Sequence, residues 1–186
     1  MNRQPTFFRL DFFGLQRELP ITLLSPKLMI ANFNILGDIE LTEKAGEKLQ
    51  TELQKRNIVP DCFVGPEVKV VPFIHHMAKR FGHTRYVILR KSVKGYMSCP
   101  HIEYPWETAP KHVKKLVMGV HDIEYLKGKK VVLIDDVVST GATMELLAQV
   151  MPKVGATILA RCSIFKQGDR YRGELIYLAD LPVMAI

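Results

Sequence analysis

This chain of 186 residues has few of the groups that staple a fold or advertise a particular chemistry. Its three cysteines, Cys62, Cys99 and Cys162, are widely spaced and form no CxxC. So sparse and odd a count argues against a disulfide framework or a zinc cluster, and predicts reduced thiols and a cytoplasmic protein. The six histidines form no HExxH. His75 and His76 are adjacent, about 100° apart on a helix, and poorly placed to share an ion. No apolar run approaches the ~20 residues of a membrane helix. Arg9 and Asp11 interrupt the N-terminal phenylalanines, where a signal peptide would stay apolar. Walker A and GxGxxG are both missing, which removes the simplest nucleotide-binding arrangements. No RNP, zinc-finger or basic-zipper pattern occurs, and the aromatics do not interleave with the basic residues, so nucleic acid is not an expected partner. Nor is there a Ser–His or Cys–His signature of covalent catalysis.

What remains is an ordinary globular balance, 47% hydrophobic and 24% charged, which excludes a disordered or fibrous chain. The length predicts one domain over 1–186 with a core large enough to need no staple. The net charge is +7. Residues 90–130 carry nine basic against four acidic residues and so supply most of it. Such a concentration fits either an anionic partner, nucleic acid or a phosphorylated small molecule, or a solvated lysine-rich surface. Leu41, Ala45, Leu49 and Leu53 recur every four residues, which predicts an amphipathic helix over about 41–55. Apolar runs predict strands at Cys62–Gly65, Tyr86–Leu89, Lys130–Ile134, Thr157–Phe165 and Leu175–Leu178. Helices are expected at Pro72–Arg80 and Thr143–Val154. Residues 1–40 read as irregular or short strands, and 92–124 as polar chain without a period. Strands that are apolar throughout and alternate with helices indicate an α/β fold on a largely parallel sheet.

The most specific segment runs from Val131 to Thr143. A buried strand delivers Asp135 and Asp136 to its C-terminal edge, where α/β proteins bind ligands. Val138, Ser139, Thr140, Gly141, Ala142 and Thr143 then turn into a helix. Hydroxyls and free N–H groups at a helix N-terminus hold an anion, and glycine lets the backbone approach it. Two acids beside an anion site make sense where the ligand also brings sugar hydroxyls or Mg²⁺.

This segment resembles the ribose-5-phosphate motif of the type I phosphoribosyltransferases. The resemblance implies that Asp135 and Asp136 bind the ribose hydroxyls of phosphoribosyl pyrophosphate, while residues 138–143 wrap its 5-phosphate. Glu67, Val68 and Lys69 are similar to the pyrophosphate loop of the adenine phosphoribosyltransferase-like branch, with Val70 where that pattern has glycine. Arg90, Lys91 and Lys94 look like its basic cluster for the leaving pyrophosphate. The segment 92–116 stands in the place of the family's flexible catalytic loop, and its Glu103-Tyr104 resembles the loop pair whose Glu manages the base proton.

Arg17–Pro20 and Ile30–Asp38 are similar to the same branch, in which residues 1–40 would form a hood over the base, with Phe33 or Ile35 against its face. The family resemblance implies purine salvage, with adenine the expected acceptor. Lys166 stands where hypoxanthine-guanine enzymes read a 6-oxo group, so a 6-oxopurine is the alternative, and orotate the third. Another class is a non-catalytic sensor of phosphoribosyl pyrophosphate that binds nucleic acid, although about 40 residues are too few for a winged helix. The resemblance further implies Mg²⁺ carried by substrate, without direct protein ligands, and a homodimer.

Overall fold

The computed structural model describes residues 6–99, 101–103 and 115–186, with the side chains of 101–103 left out of account. Three strands open the chain, β1 (Phe7–Phe12), β2 (Leu15–Ser25) and β3 (Leu28–Ala31). They are antiparallel, and β3 is completed by the last strand of the chain, β11 (Val183–Ala185). β2 is the long member: Leu15–Pro20 faces β1 and Ile21–Ser25 faces β3. Pro20, which has no N–H to give a ladder, falls at that hand-over. Residues 7–31, within the stretch read as irregular or short strands and expected to form the hood, thus make a sheet that depends on the other terminus.

The second sheet is entirely parallel, in the order β10 (Ile176–Leu181), β9 (Thr157–Gln167), β8 (Lys130–Val138), β4 (Cys62–Pro66), β5 (Val87–Leu89). β4 is buried at every position, as a central strand covered on both faces must be. The helices are α1 (Ile39–Lys55), α2 (Val71–Arg80), α3 (Val120–Leu126) and α4 (Ala142–Lys153). Leu41, Ala45, Leu49 and Leu53 of α1 are all buried, so the four-residue period marks the face it was expected to mark. Asp38 caps this helix by accepting from the N–H of Leu41 at 3.0 Å. Two clusters divide the core: one holds α1, α2 and the hood, the other α4 and the opposite face of the sheet.

Residues 92–124 differ from their expectation. They contain β6 (His101–Glu103) and β7 (Leu116–Met118), paired antiparallel, and then α3. Three-residue strands and a two-turn helix are too short to show a period, so no pattern announces them. The ribbon joins the rest through Arg90, whose N–H and carbonyl exchange bonds of 2.8 and 2.7 Å with Val117. Residues 104–114 of the expected flexible loop, Tyr104 among them, lie outside the described residues. No described helix is long and apolar enough to cross a membrane.

Candidate functional site

β4, β5, β8 and β9 all run in one direction, so their C-terminal ends meet at one edge of the sheet. A cavity of about 460 Å³ opens there. Its floor takes Asp135, Asp136, Ser139 and Thr143 from the end of β8 and the turn into α4. Glu67, Val68, Lys69 and Val70 from the turn after β4, together with Lys91, form one side. Ile30 to Phe33 of the hood, with Gln167 at the end of β9, form the roof.

Asp135 and Asp136 belong to β8 itself, and Asp136 donates its N–H to Asp135 Oδ1 at 2.9 Å. Asp136 is buried and Asp135 half-buried. Asp135 is held well above the usual carboxylate range, chiefly because it is removed from water, then because the negative Asp136 stands beside it. The N–H of Asp136 and the cation of Lys91 oppose that rise. Two acids concentrated in this way favour a ligand that brings hydroxyl donors or a cation.

In the turn, Gly141 sits at φ 79°, left-handed backbone that suits glycine, and a Cβ there would overlap the Tyr171 ring. Tyr171 in turn donates to Glu145 Oε1 at 2.9 Å, so a residue thirty positions away backs the turn. Thr140 Oγ1 accepts from the N–H of Ala142 at 3.4 Å. Ser139 and Thr143 reach the cavity, whereas Val138 is packed into the core.

On the side wall the Glu67–Val68 peptide is cis. Val70, which replaces the family's glycine, has φ −77° and ψ −11°, ordinary right-handed backbone, and its side chain is buried in the core. Nothing in that conformation requires glycine. Lys69 Nζ donates to the carbonyl of Phe33 at 3.2 Å, tying this wall to the roof. Glu67 gathers the basic cluster: it accepts from the N–H of Lys91 at 2.6 Å, with Arg90 Nη1 at 3.5 Å and Lys94 Nζ at 4.0 Å. Lys91 lines the cavity, while Arg90 and Lys94 stand behind Glu67.

The base-side candidates separate. Phe33 lines the cavity, its ring packed edge-on against Phe165 with centroids 4.6 Å apart. Ile35 is wholly buried in the core and does not line the cavity. Lys166 also lies off the cavity wall; its ammonium stands 5.7 Å from the Tyr177 ring centre. Strand alternation is the reason: the neighbour, Gln167, takes the cavity face. Glu103 lies in β6 opposite Leu116, and its side chain is not among those described. Gln167 and Tyr171 were missed by the sequence reading. Gln167 carried a usable signal, since it ends a parallel strand where ligands collect; Tyr171 carried none.

The family model of the phosphoribosyl transferase domain matches residues 34–178. An adenine phosphoribosyltransferase of Dichelobacter nodosus is 28% identical over 113 residues, which cover 61% of this chain and 62% of that protein. The matched part thus falls short of two thirds of that relative's length. An adenine phosphoribosyltransferase of Clostridium acetobutylicum is 24% identical over 135 residues, 73% of this chain and 74% of that one. Among solved structures, adenine phosphoribosyltransferase from Thermoanaerobacter pseudethanolicus superposes with a TM-score of 0.64 at 20% identity, covering 94% of this chain and 95% of that one. At that identity the likeness is one of fold: a parallel sheet flanked by helices with an antiparallel N-terminal sheet.

Proposed function

This chain belongs to the phosphoribosyl transferase domain family, and from that premise we propose that it transfers the phosphoribosyl group of phosphoribosyl pyrophosphate to a purine base, adenine foremost, releasing pyrophosphate. The observation that carries this reading is the division of one cavity into an acidic floor beside a hydroxyl-rich helix start, a basic side wall and a largely apolar roof. A ribose 5-phosphate, a pyrophosphate and a planar base require those three surroundings in that order.

The turn at residues 138–143 receives the 5-phosphate through the hydroxyls of Ser139 and Thr143 and the free N–H groups that open α4. Asp135 and Asp136 accept from the ribose hydroxyls and so fix the sugar beneath the attacking nitrogen. As the bond from C1 to the pyrophosphate oxygen breaks, positive charge grows on the sugar and negative charge on the leaving group. The carboxylates answer the first and Lys69 and Lys91 the second. The base nitrogen bonds to C1, its proton leaves to solvent or to the side chain of Glu103, and no covalent enzyme intermediate forms. For Arg90 and Lys94 to reach pyrophosphate, Glu67 must share the cations it gathers, whereas the Lys91 ammonium is not held by Glu67, which takes only its backbone N–H.

Two adjacent carboxyl groups on one cavity floor are a donor set that suits a hard cation. Mg²⁺ carried by the substrate would be held by Asp135 and Asp136 through water, and would neutralise the leaving group. The three cysteines are free, which agrees with a reducing, cytoplasmic setting. A homodimer is part of the proposal, to be tested by sedimentation. Adenine is favoured over a 6-oxopurine because Lys166, the cation that would favour an oxo group, lies away from the cavity wall.

The test is pyrophosphate release from phosphoribosyl pyrophosphate and Mg²⁺, with adenine, hypoxanthine, guanine, xanthine and orotate supplied one at a time. Turnover that requires a purine supports the reading. Release with orotate alone, or with none of the five, refutes it.

A further inference from the structure

Thr42, Asp136, Ser163 and Gln167 are polar residues buried in the described part of the chain. Thr42 Oγ1 donates to the carbonyl of Asp38 at 2.7 Å in the first turn of α1, and Ser163 Oγ to the carbonyl of Phe165 at 2.9 Å. Asp136 belongs to the floor described above. Gln167 is different in kind. It is only 6% exposed, yet it lines the cavity, and its Nε2 donates to the carbonyl of Ala31 in the roof at 2.9 Å.

A carbonyl oxygen only accepts, so that bond settles which way the amide faces: Nε2 toward Ala31, Oε1 away from it. Among the described residues no donor is seen to reach Oε1, and it is not one of the buried polar atoms left without a partner. One hydrogen on Nε2 is also unspent. The cavity wall beside the hood therefore presents an acceptor and a donor side by side, held in a fixed sense by a backbone that cannot itself reverse its polarity.

We infer that Gln167, oriented by Ala31, is the specificity-determining residue that reads position 6 of the base and selects a 6-aminopurine over a 6-oxopurine; this rests on the transfer reaction proposed above. A glutamine amide matches adenine in two bonds, accepting from the exocyclic amine and donating to the adjacent ring nitrogen. A 6-oxopurine puts an acceptor where the amine was, facing Oε1. Turning the amide over to meet it would set Oε1 against the Ala31 carbonyl, two acceptors in a buried place with no proton between them. Discrimination thus comes from the pair: a glutamine free to flip would serve either base.

The experiment measures kcat/KM for adenine, 6-methylpurine and hypoxanthine with saturating phosphoribosyl pyrophosphate and Mg²⁺, on the wild type and on Gln167→Met. Wild type is expected to favour adenine over 6-methylpurine, which has adenine's shape without its amine donors, by about 10- to 100-fold. Gln167→Met should lose about that factor for adenine, hold hypoxanthine steady, and keep the half-saturating phosphoribosyl pyrophosphate concentration. Equal use of adenine and 6-methylpurine by the wild type overturns the inference even if the variant does not fold. So does a variant in which both bases fall together, since that is what a merely structural glutamine would do. A wild type that turns over no base removes the transfer reaction itself, and this inference with it.

Discussion

The floor of the cavity and its roof are made from different kinds of chain. The floor is nearly continuous in sequence: β8, the turn at 139–141 and the start of α4 supply both acids and the hydroxyls within nine residues. The roof is assembled from afar. β3 reaches its place between β2 and β11, strands from opposite ends of the chain, and is pinned by Lys69 to Phe33 and Gln167 to Ala31, bonds that span 36 and 136 residues. A phosphate and a ribose are common to every reaction of this kind, and a local motif suffices to hold them. In the proposed reaction the base is the variable partner, and the roof proposed to meet it is the part of the molecule that only tertiary structure assembles.

If the floor carries the chemistry, damage there should be far the most severe. Asp135→Asn with Asp136→Asn is expected to lower the transfer rate by more than about 10³-fold, the scale on which preorganised charges contribute to a transition state, while circular dichroism stays that of the wild type. Activity near wild type in the double variant would mean that the two carboxylates are scaffolding. Gly141→Ala attacks the same floor through its backbone. It forces a side chain into left-handed φ and into the Tyr171 ring, at a cost of about 2 kcal/mol or more in urea unfolding, with at least about tenfold weaker binding of phosphoribosyl pyrophosphate. An alanine variant that binds as well as wild type would show that the turn need not hold its shape.

The same contrast explains what could be read before the structure was known. Buried parallel strands announce themselves as apolar runs, and α1 by its four-residue period, so the central sheet and its helices were legible within a few residues. That the two acids and the hydroxyl-bearing turn come together at one edge of the sheet was legible because their spacing is fixed by one strand and one turn. Lys166 marks the harder side of the site: alternation along β9 sets Lys166 and Gln167 on opposite faces, and the sequence does not say which of them looks into the cavity. Ile35 shows the same difficulty in reverse, since an apolar residue beside a ligand and one in the core look alike. β6, β7 and α3 were invisible because none is long enough to display a period.

A gentler test of the floor has the opposite sign. Asp135 resists ionisation in the folded protein, so folding there is opposed at neutral pH. Below the unfolded chain's value, about 3.9, both states hold the proton and the group is neutral in effect. As pH rises from there through the raised folded value, the wild type loses stability and then levels off. Asp135→Asn carries no charge to oppose, so it should unfold at a higher temperature than wild type near pH 7, with the gain vanishing below about pH 4. A variant no more stable at neutral pH would show that the acid pair is not strained without its ligand.

The smallest effect belongs to the seam between roof and body, where Arg17 of β2 forks onto Asp38 at 2.7 and 3.0 Å and onto Glu40 at 2.8 Å. Asp38 is also the cap of α1, so one guanidinium orients the carboxylate that starts the helix and ties the hood to it. The hydrogen bond from Arg17 is the main reason that Asp38 is held below the usual carboxylate range, its burial pulling the other way. Both side chains are about a quarter exposed, so water screens the pair and Arg17→Ala should cost only about 1 kcal/mol. The pH dependence separates this bond from simple loss of packing. A lowered carboxylate contributes stability that is complete above its unfolded value and is lost as pH falls through the folded one. The difference between wild type and Arg17→Ala should therefore hold steady from pH 7 to about 5 and shrink below about pH 4 as Asp38 takes up its proton. A difference that stays constant down to pH 3 would mean that Arg17 supports the hood through the contacts of its stem, and that the roof is fastened to the body by apolar packing with the charges along for orientation.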